Sequence, residues 1–183
     1  MHSLSGKLLV ASPDLSGSLF SRSVVLVIHH DADGAFGLIL NRRGEDRLGP
    51  LWERTIREAC PVDLPVMIGG PLQGPLMAVH ADAALSEREI LAGVHFAARK
   101  EMLTALVAAA TLPMRVFFGY SGWGPGQLES EIATGSWVLA DATAELVFAE
   151  EESLWKRVSA QIFDGMLIET LRIKHVPEKP WHN

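Results

Sequence analysis

The chain has 183 residues, a formal net charge of −6, 48% hydrophobic and 21% charged residues. That composition fits one globular domain able to bury its own core and excludes collagen-like or low-complexity chains. The acidic balance repels a phosphate backbone, and Arg42, Arg43, Arg47, Arg54 and Arg57 are interleaved with Glu45, Asp46, Glu53 and Glu58, so direct nucleic-acid binding is not expected.

Along the chain, residues 7–11 read as a short strand stopped by Ser12 and Pro13. Residues 23–28, SVVLVI, are β-branched and continuous, as in a strand buried on both faces or a barrel wall. The turn Asp31–Gly34 then leads into a second strand over 36–41, completing a hairpin. Residues 44–50 read as a loop, with Pro50 opening a helix to about residue 59 whose Leu51, Trp52, Thr55, Ile56 and Ala59 share a face. Short strands at 66–68 and 76–79 flank a tight loop containing Gly69, Gly70, Pro71, Gly74 and Pro75. The periodicity of Met102, Leu103, Leu106, Val107 and Ala110 predicts a helix over 101–110. A strand at 114–118, a glycine-rich corner, a helix over 127–133, a strand at 136–140 and a helix around 153–163 follow. Strands come in runs, without regular alternation with helices, which predicts one α+β domain over 1–175 and an extended or disordered tail at 176–183.

Lone Cys60 cannot form an intramolecular disulfide and suits a reducing, cytoplasmic compartment. Neither a signal peptide nor a membrane span is expected, because no apolar run reaches about 20 residues.

The corner, FFGYSGWGPGQLESE, concentrates Gly119, Gly122, Gly124 and Gly126 around the only tyrosine, Tyr120, and Trp123. It matches no established site motif. A phosphate loop lacks its lysine, since Pro125 and Gly126 follow Gly124. Gln127 stands where a dinucleotide fingerprint needs its third glycine, and Trp123 where a nucleophile elbow needs a small residue after Ser121. What remains is a run of main-chain N–H groups near Gly122 to Gln127, before a helix start, that could receive an anion. The candidate ligand-binding residues are therefore Tyr120, Ser121, Gly122, Trp123, Gly124, Gly126, Gln127 and Glu129, set against a structural corner in which Trp123 covers the core and Gln127 or Glu129 caps nearby amides.

Elsewhere, His29 and His30 alternate across a strand and cannot grip one ion with Asp31 and Asp33, so no metal is expected. Glu129 and Glu131 point apart around a helix and read as solvated residues. Cys60 reads as an inert thiol at a helix end, and Glu150, Glu151 and Glu152 as dipole partners at a helix start.

Taken together, GKLLVASPDL at 6–15, GLILNR at 37–42, GGP at 69–71 and GYSGWGPGQLE at 119–129, with Phe20 and Arg22, resemble the YqgE/AlgH family. The resemblance runs over about residues 6–163 and implies a compact α+β fold around a mixed, barrel-like sheet; it implies no established activity and offers no agreed catalytic residues or cofactor to carry over, and no cofactor is expected. Family members carry the label transcriptional regulator, from a link to alginate regulation, yet this chain has no helix-turn-helix pattern, basic stripe or zinc motif. Arg43 stands where the family pattern carries proline, Ser121 where it often carries alanine, and the tail from Ile173 runs past the usual end. The expected function is a regulatory or binding protein that holds a small anionic ligand or a protein partner near the corner. A hydrolase or transferase with an unrecognised active site, using Ser121 or a distant histidine and acid, and a DNA-binding regulator, are the alternatives.

Overall fold

In a computed structural model the described residues, 3–110 and 112–171, carry ten strands and five α-helices. The expected tail lies outside them. β1 (Lys7–Ala11) pairs antiparallel with β2 (Val24–Asp31), which turns through Ala32 and Asp33 into β3 (Gly34–Ile39). Asp31 Oδ1 accepts the Asp33 N–H at 2.9 Å and fixes that turn. Val24, Leu26 and Ile28 face one core and Val25 and Val27 another, which is why the start of β2 has no polar position.

β4 (Arg43–Arg47), β5 (Pro65–Ile68), β6 (Leu72–His80), β7 (Arg88–Leu91), β8 (Val94–Ala97), β9 (Met114–Trp123) and β10 (Trp137–Asp141) complete the sheet. Its order is β10-β1-β2-β3-β9-β6-β8-β7, with β5 running parallel to β9 and β4 attached to β5. The α+β class with a mixed, barrel-like sheet is the architecture adopted: the sheet curls into a half-barrel.

The loop expected at 44–50 is instead β4 and the first turn of α1 (Leu48–Ile56). β4 hides from pattern reading because it is a bulged, mostly exposed edge whose charged residues discourage further pairing. α1 stops at Ile56 because Arg57 turns left-handed, with φ 66°. β7, β8 and α4 (Ala144–Val147) are each four residues long, too short to show a period. α2 (Lys100–Ala108), α3 (Gln127–Ala133) and α5 (Glu151–Leu171) lie close to expectation, α5 being longer.

Three apolar clusters result. The central one joins β1–β3, β6 and β9 to Leu146, Val147, Leu154 and Val158 of α4 and α5. Leu154 and Val158 are fully buried there, each contributing about 1.5–3 kcal/mol. The second combines α1 and α2 with Val66, Leu76, Ala78 and Val116. The third sets Leu128 of α3 with Trp123 and Trp137.

Candidate functional site

The glycine-rich segment is a corner only from Gly124 onward, because β9 continues to Trp123 instead of ending at Phe118. Phe117 belongs to the central core and Val116 to the second. Gly119, left-handed at φ 73°, resets the alternation, so that Tyr120 packs on the central core and Trp123 on the third. The same residue marks a change of neighbour: Phe118 pairs with Ile68 of β5, whereas Ser121 pairs with Gly37 of β3. Opposite it, β6 shifts register between Leu72 and Leu76.

Gly69 and Gly70 lie directly on this bulge. A Cβ on Gly69 would stand 2.2 Å from the Gly119 oxygen, and one on Gly70 2.2 Å from the Tyr120 carbonyl carbon. The Gly69 oxygen accepts the Ile39 N–H at 2.9 Å and the Ser121 hydroxyl at 3.1 Å. Two motifs distant in sequence are thus one backbone junction. Ser121 is fully buried, with its hydroxyl committed to a carbonyl and not to a base that could activate it. Tyr120 stacks edge-on to Phe36, with ring centroids 6.2 Å apart, in space that Gly122 and Gly74 leave free.

Beyond the strand, the corner bonds to itself. The Gly124 N–H donates to Gln127 Oε1 at 3.1 Å, and Gln127 Nε2 donates to Glu131 Oε1 at 2.9 Å. Glu131 Oε2 accepts the indole N–H of both Trp123 and Trp137, each at 2.8 Å. The Gly126 oxygen accepts the Ser130 N–H. Glu129 accepts from Nε2 of buried His30 at 2.8 Å, while His30 Nδ1 accepts the Leu4 N–H at 3.0 Å, a pattern that needs the neutral ring. The Glu129 carboxyl is held below its ordinary value by its own backbone N–H first and by His30 second. The reading of Glu129 and Glu131 as solvated residues is therefore corrected: each is anchored to a named partner across the fold.

Glu131→Ala is expected to destabilise the protein by about 2–4 kcal/mol, because two mostly buried indole N–H groups lose their acceptor. Glu131→Gln keeps an acceptor oxygen and costs less. Urea unfolding monitored by tryptophan emission checks both.

His29 and His30 diverge as the strand period requires: exposed His29 contacts Asp31 at 2.7 Å and Arg88 at 2.9 Å, away from His30. Among the described residues no group of three or more His, Cys, Asp or Glu is placed to hold a metal ion. Cys60 packs against the second core, and its thiol donates to the Val62 oxygen at 3.2 Å.

The open feature lies on the other side of the bulge. Ile68, Leu72 and Phe118 are 40%, 43% and 47% exposed. They line a groove of about 590 Å³, rimmed by Arg42, Arg43, Glu45 and Asp46 and floored at one end by Gly70 and Gly119. Sequence reading missed it because Phe118 and Ile68 sit in strands that look uniformly buried. The second core extends over Val66, Leu76 and Val116, leaving the next residues of the same strands uncovered.

Among the described residues, no helix is long and apolar enough to cross a membrane. A UPF0301 protein from Methylococcus capsulatus is 38% identical over 159 residues, covering 83% of this chain and 87% of the relative. One from Chlamydia trachomatis is 41% identical over 169 residues, covering 84% and 83%. The solution structure of AlgH from Pseudomonas aeruginosa superposes with a TM-score of 0.73 at 23% identity, covering 97% of this chain and 96% of that one. A crystal structure from Corynebacterium diphtheriae does so at 0.70 and 28% identity, covering 85% of each. The family model DUF179, described as AlgH-like, matches residues 8–165, and the chain belongs to that family.

Proposed function

We propose that this chain is a cytoplasmic regulatory protein that binds an apolar segment of a partner protein in the groove beside the Gly119 bulge. The observation that carries this reading is the exposure of Ile68, Leu72 and Phe118 in one groove, next to buried Met67 and Phe117 on the same strands as Ile68 and Phe118. Large apolar side chains gathered in a polar rim mark interaction surfaces, whereas scattered ones do not. The Arg42, Arg43, Glu45 and Asp46 rim offers both signs of charge to a segment lying across it. A peptide fits better than a small anion, because the Gly124 N–H at the corner is already bonded to Gln127. The net charge of −6 argues against DNA as the ligand, and the buried, carbonyl-bound Ser121 against a serine hydrolase. The free thiol of Cys60 supports a reducing compartment.

The test is selection of a random-peptide library on the parent protein. Enriched peptides should carry bulky apolar residues and bind Phe118→Ser and Leu72→Ser at least about tenfold more weakly, the effect of a contact worth roughly 1.4 kcal/mol or more. Both variants should keep the parent melting temperature, since both side chains are already half in water. Peptides that bind parent and variants alike would exclude this groove. Selected peptides displaced by inorganic phosphate would return the anion reading to first place.

A further inference from the structure

β7 ends the sheet and, among the described residues, pairs with β8 alone, yet it also meets β2: Arg88 Nη1 donates to His29 Nδ1 at 2.9 Å. Two strand pairs face each other across this unclosed seam of the half-barrel. His29 is the register partner of Phe36 on β3, and Arg88 of Phe96 on β8, so each polar residue shares a face with the aromatic opposite it. The two rings meet edge-on with centroids 5.8 Å apart and are half-buried against the central core. Between the strand pairs lies a cavity of about 330 Å³ lined by Ile28, His29, Phe36, Glu87, Arg88 and Phe96. It shares no lining residue with the groove beside the Gly119 bulge.

The cation at this cavity is oriented and unpaired. A guanidinium only donates, so His29 Nδ1 is bare and Nε2 carries the proton, which it gives to Asp31 Oδ2 at 2.7 Å. Asp31 Oδ1 in turn accepts the Asp33 N–H at 2.9 Å, which ties Arg88 through His29 to the β2–β3 turn. Among the described residues, no carboxylate lies within ion-pair distance of Arg88. Glu87 is matched elsewhere: its Oε1 accepts the N–H of Ala98 at 3.0 Å and of Arg99 at 2.7 Å, and Arg99 Nε stands 3.5 Å away. Glu89 is the register partner of His95 and lies on the opposite face of β7 from Arg88.

We propose that this seam binds a small aromatic carboxylate, its ring against Phe36 and Phe96 and its carboxylate on the Arg88 guanidinium. Arginine's planar fork matches a carboxylate with two parallel bonds, and an added ring finds the edge-to-face contacts that aromatic side chains favour. The cavity lies at the small end of the range for ligand pockets, about 300–1,000 Å³, which suits one ring and a short acid chain. A phosphate monoester, carrying nearly two charges, asks for more than one unpaired arginine.

The test is titration of the full chain with 3-phenylpropanoate, following the Ile28 methyl and the Phe36 and Phe96 ring protons by NMR. All three should shift and saturate with a Kd below about 5 mM, the affinity that a ligand of this size reaches at ordinary efficiency. Butyrate, which lacks the ring, and 3-phenylpropanamide, which lacks the charge, should each bind at least about fivefold more weakly. Arg88→Gln should weaken 3-phenylpropanoate by at least about the same factor, and it should keep the parent melting temperature because Arg88 is exposed. A Kd above that limit, shifts confined to other residues, or a smaller discrimination by ring, by charge or by Arg88 would overturn the proposal.

Discussion

Gly70→Ala should abolish folding or cost more than about 4 kcal/mol, a large share of the roughly 5–15 kcal/mol that holds a domain together. The added Cβ would lie 2.2 Å from the Tyr120 carbonyl carbon, 2.3 Å from the Ser121 nitrogen and 2.4 Å from the Tyr120 oxygen. All three are backbone atoms of β9, which is hydrogen-bonded to β3 and β6 around this point. No rotamer relieves such a clash, so strand pairing must break. The matched control is Gly124→Ala, whose Cβ would meet only Gln127 Oε1, at 3.9 Å, and which should stay within about 1 kcal/mol of the parent. Soluble yield and thermal melting of the two variants side by side would check this, and equal behaviour would refute the junction.

The second large effect is expected from Arg115→Met, at about 3–5 kcal/mol. The Arg115 side chain is 9% exposed; it donates to the Leu40 oxygen at 2.8 Å, to the Ala149 oxygen, and to Glu151 Oε1 at 3.1 Å. Methionine fills most of the volume but leaves two carbonyls without this donor and Glu151 with only the exposed Arg43, 3.0 Å away, as a partner. The loss should show in urea unfolding as a lower midpoint at unchanged slope. An unfolding free energy within about 0.5 kcal/mol of the parent would mean that the guanidinium merely offsets its own desolvation.

How much of this was legible follows from the physics of each signal. The β2–β3 hairpin, α2 and α3 could be read because local pattern and turn chemistry determine them. The glycines of the 119–126 segment were visible as special, but their roles were not, since role depends on what lies opposite. Gly119 faces the backbone oxygens of Gly70 and Leu72, contributed by a distant stretch of the chain, whereas Gly124 faces only the end of the Gln127 side chain. Glu131 looked like a solvated helix residue because no sequence rule brings Trp123 and Trp137 to one carboxylate. The groove was invisible for the opposite reason. Strand periodicity reports which side a residue faces, not how far the covering helices reach along that side.

β9 is held on its flanks by β3, β5 and β6. Phe118 therefore projects from a floor whose backbone is already fixed before any partner arrives. A peptide bound as proposed would have little of this protein left to order, and the entropy lost on binding would fall mainly on the peptide's side. Selectivity would then come from which incoming chains can adopt the required shape cheaply, with the receptor acting as a rigid mould.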